Sequence, residues 1–192
     1  MTKSKLLLAT FTAASLCATG ALAATDKATY DNAVQSAAAQ YKTAKAACDS
    51  LSGNAKDICM KEAKGKEKIA KSEAEAAYRD TPRARENARV AMADANYDVA
   101  KEKCDDLSGN PKDVCVKEAK AAHVKAVSDA KVDRVAADTR GTSAGKNADA
   151  RREASTDKRD ADYKVAIEKC DALAGAAKDT CVRDAKARYG KT

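Results

Sequence analysis

Small and apolar residues recur at helical spacing along most of this chain, and they recur in the same order three times. Tyr, Ala, Cys and Leu follow one another at offsets 0, 3, 7 and 10, which places them on one helix face as the a and d positions of a heptad seam. We therefore predict three equivalent amphipathic helices with coiled-coil-like seams. The tyrosines and leucines of these seams are Tyr41 and Leu51, Tyr97 and Leu107, and Tyr163 and Leu173.

A glycine follows each seam and marks the predicted turn of a hairpin. Gly53, Gly109 and Gly175 lie two residues beyond the leucines, where a glycine with positive φ commonly ends a helix. The next residue is Asn in the first two copies, which suits the N-cap of the returning helix, and Ala176 in the third, which predicts a weaker cap. Each copy thus predicts a helix–turn–helix hairpin.

Two cysteines flank each glycine, five residues before it and six residues after it. On antiparallel helices these positions stand at a similar height above the turn, as a disulfide with Cα atoms about 5.5–6 Å apart requires. Six cysteines allow many connectivities, and the repeat selects the local one. We predict the pairs Cys48–Cys59, Cys104–Cys115 and Cys170–Cys181.

The segments between the turns also favour helices, so we predict an all-α fold of six helices in three disulfide-stapled hairpins. Residues 55–79 are rich in the strong helix formers Ala, Lys and Glu. Thr81-Pro82 interrupts this run, because proline disfavours helix at the preceding residue and suits the start of a new one. Further helices are predicted over 82–107 and 111–140.

The third hairpin follows a longer connection than the second. The first cysteines of successive copies are 56 and then 66 residues apart, and residues 141–145 (Gly-Thr-Ser-Ala-Gly) predict a flexible joint. Residues 146–162 are polar on all sides and predict either a solvated helix or a partly frayed segment. We divide the chain into hairpin 1 (24–80), hairpin 2 (81–140), and the joint with hairpin 3 (141–192).

Residues 1–23 predict a secretory signal peptide. Two lysines precede an apolar run, which is short for a membrane-spanning helix of about 20 residues, and Ala21-Leu22-Ala23 offers a small-x-small cleavage site. A lipoprotein with lipid on Cys17 is the rival interpretation, disfavoured by Leu16 directly before the cysteine. We expect a soluble mature chain that starts near Ala24, reaches a bacterial periplasm and has no transmembrane segment.

Cleavage at that site changes the charge and the cysteine count. It removes two lysines and no acidic residue, so the net charge falls from +7 to +5, and it leaves six of the seven cysteines. An even number in an oxidising compartment favours disulfides over free thiols. The predicted core is thin, because alanine supplies most of the apolar content and buries little area at roughly 25 cal/mol per Å². We therefore expect an elongated or loosely bundled arrangement.

Patterns that carry catalysis or bind metals are scarce, so we predict a non-enzymatic protein without a cofactor. His123 stands alone and is interpreted as a helix-surface residue. The sequence has no glycine-rich phosphate loop, no His-Glu-x-x-His and no Gly-x-Ser-x-Gly. The cysteines lack the close pairs of zinc sites and the Cys-x-x-Cys of redox enzymes. The mixed charges argue against nucleic acid as a partner.

The repeated unit Tyr-x2-Ala-x3-Cys-Asp-x-Leu-x-Gly-x2-Lys-Asp-x-Cys resembles a group of Ala/Lys-rich, helical periplasmic proteins of proteobacteria. These are often labelled TolA-like or cell envelope biogenesis proteins. The resemblance covers nearly all of residues 24–192 and implies an envelope setting, and it carries over no catalytic residue. The TolA label reflects the Ala/Lys/Glu-rich helix, whereas TolA itself has a membrane anchor and a separate C-terminal domain, for which we see no pattern here.

Three hypotheses of function follow. The first is a structural or interaction protein of the cell envelope, with stress-related roles included, whose partner is an envelope protein or an anionic envelope component. The second is a periplasmic chaperone similar to the basic, helical, Skp-like holdases. The third is a binder of metal or small ligands through reduced cysteines.

Overall fold

The computed structural model describes residues 25–138 and 144–192. The predicted signal peptide with Cys17 and positions 141–143 of the predicted joint lie outside the described residues. Within the described ranges the chain forms six α-helices and one short 3₁₀ helix, without strands, which confirms the all-α prediction. No helix in these ranges is long and apolar enough to cross a membrane.

Short turns join the helices within each described range. Helix α5 begins inside the predicted joint, so positions 144 and 145 are helical rather than part of a turn. It also decides between the two alternatives for residues 146–162, which form a continuous helix. The helices are α1 (Lys27–Cys48), α2 (Gly53–Arg79), α3 (Pro82–Lys103), α4 (Gly109–Asp138), α5 (Ala144–Cys170) and α6 (Gly175–Tyr189), and the 3₁₀ helix is Cys104–Asp106.

Side-chain caps start two of the helices where the sequence provides them. Asp26 accepts a hydrogen bond from the Thr29 amide at 2.8 Å and caps α1. The Thr81 hydroxyl accepts from the Ala84 amide at 3.1 Å and caps α3, and Pro82 occupies the first turn, where its missing N–H costs nothing. The interruption predicted at Thr81-Pro82 is therefore a capped helix start.

The helices form an open row in which each packs extensively only on its neighbours in sequence. The closest packing joins different hairpins, α2 with α3 and α4 with α5, and α6 has the smallest contact with its neighbour. Because consecutive helices are antiparallel, α1, α3 and α5 point one way and the other three point back. The helices therefore form one open layer, and all three hairpin turns lie along the same edge of the row.

The core of this row consists of alanine and cystine. Every buried apolar residue in the described ranges is one of fourteen alanines or three cysteines. In α3 the buried positions Ala84, Ala88, Ala91 and Ala95 form a stripe at spacings of 4, 3 and 4 residues, the spacing of one helix face. A single layer of helices has no deep interior, and small side chains let neighbouring helices approach closely.

Candidate interaction edge

Each hairpin ends in a stapled turn, which we call a tip; the three tips are residues 49–57, 105–113 and 171–179. A disulfide joins the two helices at the base of each tip, with Cα atoms 5.6–5.7 Å apart. These bridges confirm the local pairing that the repeat predicts, Cys48–Cys59, Cys104–Cys115 and Cys170–Cys181. The first cysteine of each pair is fully buried.

The three tips repeat one set of internal contacts. In the first tip the Leu51 amide donates to the Cys48 carbonyl at 3.0 Å, and Lys56 Nζ lies 3.0 Å from Asp49 Oδ1. The other two tips have the equivalent hydrogen bond at 3.0 Å and the equivalent Lys–Asp pair at 2.8 and 2.9 Å. A disulfide, a turn hydrogen bond and an ion pair therefore fix the conformation of every tip.

The tip glycines have the predicted conformation at a different place in the hairpin. Gly53, Gly109 and Gly175 have φ of 55°, 60° and 55°, as the prediction of positive φ requires. The predicted role of ending the first helix is wrong, because α1 already ends at Cys48 and Gly53 opens α2. Ser52 between them is extended, and a left-handed residue turns this strand-like segment into the returning helix, which glycine does without strain.

The leucines of the predicted seams lie on the tips and are exposed. Leu51, Leu107 and Leu173 have relative exposures of 42%, 44% and 44%. Their predicted place in the seam is wrong, because each α-helix ends before its leucine and the heptad pattern does not continue. The residues between the cysteine and the leucine form a turn that directs the leucine outward.

The tyrosines of the seams remain at the helix interfaces. Tyr97 packs on His123 with ring centroids 5.3 Å apart, and Tyr163 packs on Tyr189 at 6.1 Å. His123 and Tyr189 occupy the same place in the repeat, eight residues after the second cysteine. All three seam tyrosines, including Tyr41, are half-buried. They support helix packing and are not part of the exposed edge.

Asparagine side chains join successive tips. Asn54 Nδ2 donates to the Glu102 carbonyl at 3.1 Å and to Asp106 Oδ1 at 2.7 Å. Asn110 Nδ2 donates to the Glu168 carbonyl at 2.9 Å. We call these two junctions the latches. The predicted capping role of the asparagines is wrong: the N-cap of α2 is Ser52, and the amide instead reaches a carbonyl near the end of the neighbouring helix, where backbone acceptors lack helical partners.

The latches have a direction, because the asparagine of one tip donates to a backbone carbonyl of the hairpin that follows it. The donor half depends on the side chain, and hairpin 3 has Ala176 where hairpins 1 and 2 have asparagine. On the acceptor side only the side chains differ, since hairpin 2 has Glu102 and Lys103 where hairpin 1 has Ala46 and Ala47. The replacement of asparagine by alanine in the third copy is the sequence signal that could have identified the latches. Ion pairs beside them are Lys103–Glu62 at 3.5 Å and Lys169–Glu118 at 2.6 Å.

Replacing the latch amide should weaken the row. Asn54→Ala removes two hydrogen bonds from a half-buried side chain, and we expect the free energy of unfolding to fall by about 1–2 kcal/mol. Urea titration followed by circular dichroism measures this. Ala176→Asn is the matched control and should leave stability unchanged, because in the described ranges no further helix packs on α6. Equal effects of the two substitutions would show that the amide acts only within its own helix.

Asp94 joins three helices at the centre of the row. Its Oδ2 accepts a hydrogen bond from Lys68 Nζ of α2 at 2.8 Å, and its Oδ1 lies 2.6 Å from His123 Nε2 of α4. Burial disfavours the charged carboxylate, but the hydrogen bonds from Lys68 and His123 outweigh it and hold the pKa of Asp94 below its ordinary value. The interpretation of His123 as a surface residue is wrong, since its side chain is 16% exposed and part of this cluster.

The contribution of Asp94 to stability should disappear in acid. Because its pKa is lower in the folded chain than the ordinary 3.8, the ionised form stabilises the fold above that value, and the effect is lost as the pH falls through the folded pKa. Asp94→Asn should therefore flatten the acid limb of a plot of unfolding free energy against pH, below about pH 4. Asp98→Asn, exposed on the same helix, should leave that limb unchanged.

Grooves lie between the helices of adjacent hairpins. Two of them, of ≈ 480 and ≈ 450 Å³, occupy equivalent places in the repeat, and a third of ≈ 450 Å³ also lies between α4 and α5. The third combines an apolar floor at Val124 and Val127 with lysines and aspartates of opposing charge. In the described ranges no group of three His, Cys, Asp or Glu side chains could hold a metal ion. The repeated tips are the more distinctive feature.

Because the comparisons with known proteins give no relative, the function is inferred from the geometry described above. The likeness to TolA-like envelope proteins stays a prediction from the repeat. No family model, curated protein or solved structure matches the chain.

Proposed function

We propose that this chain is a non-catalytic structural or interaction protein of the bacterial periplasm that contacts its partner through the edge formed by the three tips. The observation that carries the proposal is the placement of leucine. In the described ranges the three leucines lie exposed on the tips, while alanine and cystine fill the core. Burying a leucine side chain stabilises a protein by about 1.5–3 kcal/mol. The exposure of the three leucines at equivalent positions therefore favours a role for these side chains in binding a partner.

The disulfides support an oxidising compartment, because bridges of this kind are rare in reducing cytosol. All six cysteines of the described ranges are paired, and the N-terminal 23 residues have the pattern of an export signal. Together these features favour the periplasm and an envelope setting, the setting that the TolA-like resemblance also implies.

Expression of the full chain in a Gram-negative bacterium tests this proposal. We expect the protein in the periplasmic fraction, with a mature N-terminus near Ala24 by mass spectrometry and no free thiol by titration. The intact chain in the cytoplasm with titratable thiols would contradict it. The same result would revive the hypothesis of a metal or ligand site at reduced cysteines, which requires thiolates.

A holdase is the second candidate, and the exposed leucines of the tips favour it because holdases bind unfolded chains through apolar surface. Light scattering of a thermally aggregating client enzyme, with and without this protein, tests the activity, and sedimentation tests the trimer that a Skp-like protein would form. Suppression of aggregation by a trimer would favour the holdase, and a monomer without suppression would favour the interaction protein.

A further inference from the structure

We infer that the tip edge binds a basic, amphipathic segment of another polypeptide. The inference rests on the proposed function and adds the chemistry of the partner. It depends on three properties of the tips: their alignment, their exposed leucines and their unpaired carboxylates.

The latches align the tips in one row. Asn54 connects the first tip to Asp106 of the second, and Asn110 connects the second hairpin to Glu168 of the third. Neighbouring tips are separated by two helix spacings of about 8–10 Å each, so the leucines lie at most about 20 Å apart. An elongated ligand that spans roughly 40 Å would contact all three.

Each tip presents the same apolar contact in the same conformation. The leucine exposures agree within two percentage points, 42%, 44% and 44%, and each leucine amide is hydrogen-bonded to a buried, disulfide-bonded cysteine. Because the backbone at each leucine is already fixed, binding has to order only the leucine side chain. Met92 is equally exposed at 42%, but it lies in the middle of α3, away from the tips. The other two hairpins have no methionine at the corresponding position.

The charge of the tips identifies the partner as basic. The lysine of every tip is engaged by an aspartate of the same tip. Asp57, Asp113 and Asp179, at equivalent positions in the second helices, are exposed and belong to none of the salt bridges of the described ranges, although the charge of Asp113 also acts on Lys112. The tips together hold seven aspartates and three lysines, a net charge of −4, in a chain whose net charge is +7.

A basic polypeptide with apolar side chains matches this pattern of leucine beside free carboxylate. An anionic lipid surface fits it poorly, because the unpaired aspartates would face phosphate groups of the same sign. We therefore commit to a polypeptide partner, and lipid or a second copy of this chain are the competing outcomes of the test.

The test uses the oxidised full-length mature chain and a synthetic helical peptide of about 26 residues, roughly 39 Å long, with leucine on one face and lysine on the other. A matched peptide carries glutamate in place of lysine, and vesicles of phosphatidylglycerol form the third probe. We expect the basic peptide to bind, by fluorescence anisotropy, and to shift the methyl resonances of Leu51, Leu107 and Leu173. The Leu→Ala triple variant at these positions should bind the peptide at least about tenfold more weakly. The control variant Met92→Ala should bind it with the same affinity as the original chain.

The Asp→Asn triple variant at positions 57, 113 and 179 should weaken binding and reduce its dependence on salt. Because all six substituted side chains are exposed, circular dichroism should show unchanged folding. Preferred binding of the acidic peptide or the vesicles, lost in the leucine variant, would overturn the partner's chemistry and leave the proposed function standing. Unchanged binding in the leucine variant, or a self-associated chain that this variant dissociates, would overturn the inference itself.

Discussion

Reduction of the three disulfides is expected to abolish the cooperative folding of this protein at 25 °C. A disulfide typically contributes about 2–4 kcal/mol, and a domain as a whole is stable by about 5–15 kcal/mol. The core of alanine and cystine provides little to replace that contribution. Circular dichroism with and without a phosphine reductant should show a large loss of helix and a broad, non-cooperative melting curve.

Single-pair variants separate the three bridges. Removing Cys170–Cys181 should release α6 alone, because this 15-residue helix has the smallest contact with its neighbour and is too short to be stable by itself. Removing Cys104–Cys115 should destabilise the whole row by about 2–4 kcal/mol, since α3 and α4 hold both flanking hairpins. A reduced chain that melts at the same temperature as the oxidised chain would refute this account of the core.

Gly65→Val is expected to lower the free energy of unfolding by about 3 kcal/mol. Gly65 lies in the middle of α2, where a Cβ would stand 2.9 Å from Ala95 Cβ, closer than real carbon atoms approach. Ala95 belongs to the buried stripe of α3 and cannot retreat unless the two helices separate. Without this contact the substitution would be mildly favourable, because glycine is the poorest helix former apart from proline.

Gly145→Val provides the comparison, since nothing lies within 4 Å of a Cβ at this helical position. We expect this variant to be as stable as the original chain, or more stable by up to about 1 kcal/mol. Urea unfolding at fixed pH measures both. Equal stability of the two variants would mean that α2 and α3 can move apart at little cost.

The sequence predicts the local structure of this protein well, because local structure depends on nearby residues. The helices follow from residue propensity, the positive φ of the tip glycines from their place between two helical runs, and the disulfides from equal heights above a turn. The prediction that the leucines lie in the seam is wrong because the heptad pattern assumes that the helix continues, whereas the hydrogen bond from the Leu51 amide to the Cys48 carbonyl closes a turn after α1.

Contacts between hairpins are less accessible to such reasoning. The pairing of His123 with Asp94 links residues 29 positions apart and depends on the register between α3 and α4. The latch from Asn54 spans 48 positions to Glu102. Asparagine after a turn is an ordinary helix cap, so its use as a bridge emerges only when neighbouring helices are placed beside each other.

The directional latches also govern how the length of the row can change. Contacts that repeat head to tail between two different surfaces build open filaments unless one of the surfaces is missing. The acceptor of the latch is a backbone carbonyl, which every hairpin has, whereas Ala176 leaves the third hairpin without an amide to donate. A gene duplication of hairpin 2, which carries Asn110, would lengthen the row through a matching junction. Duplication of hairpin 3 would instead create a junction without a latch.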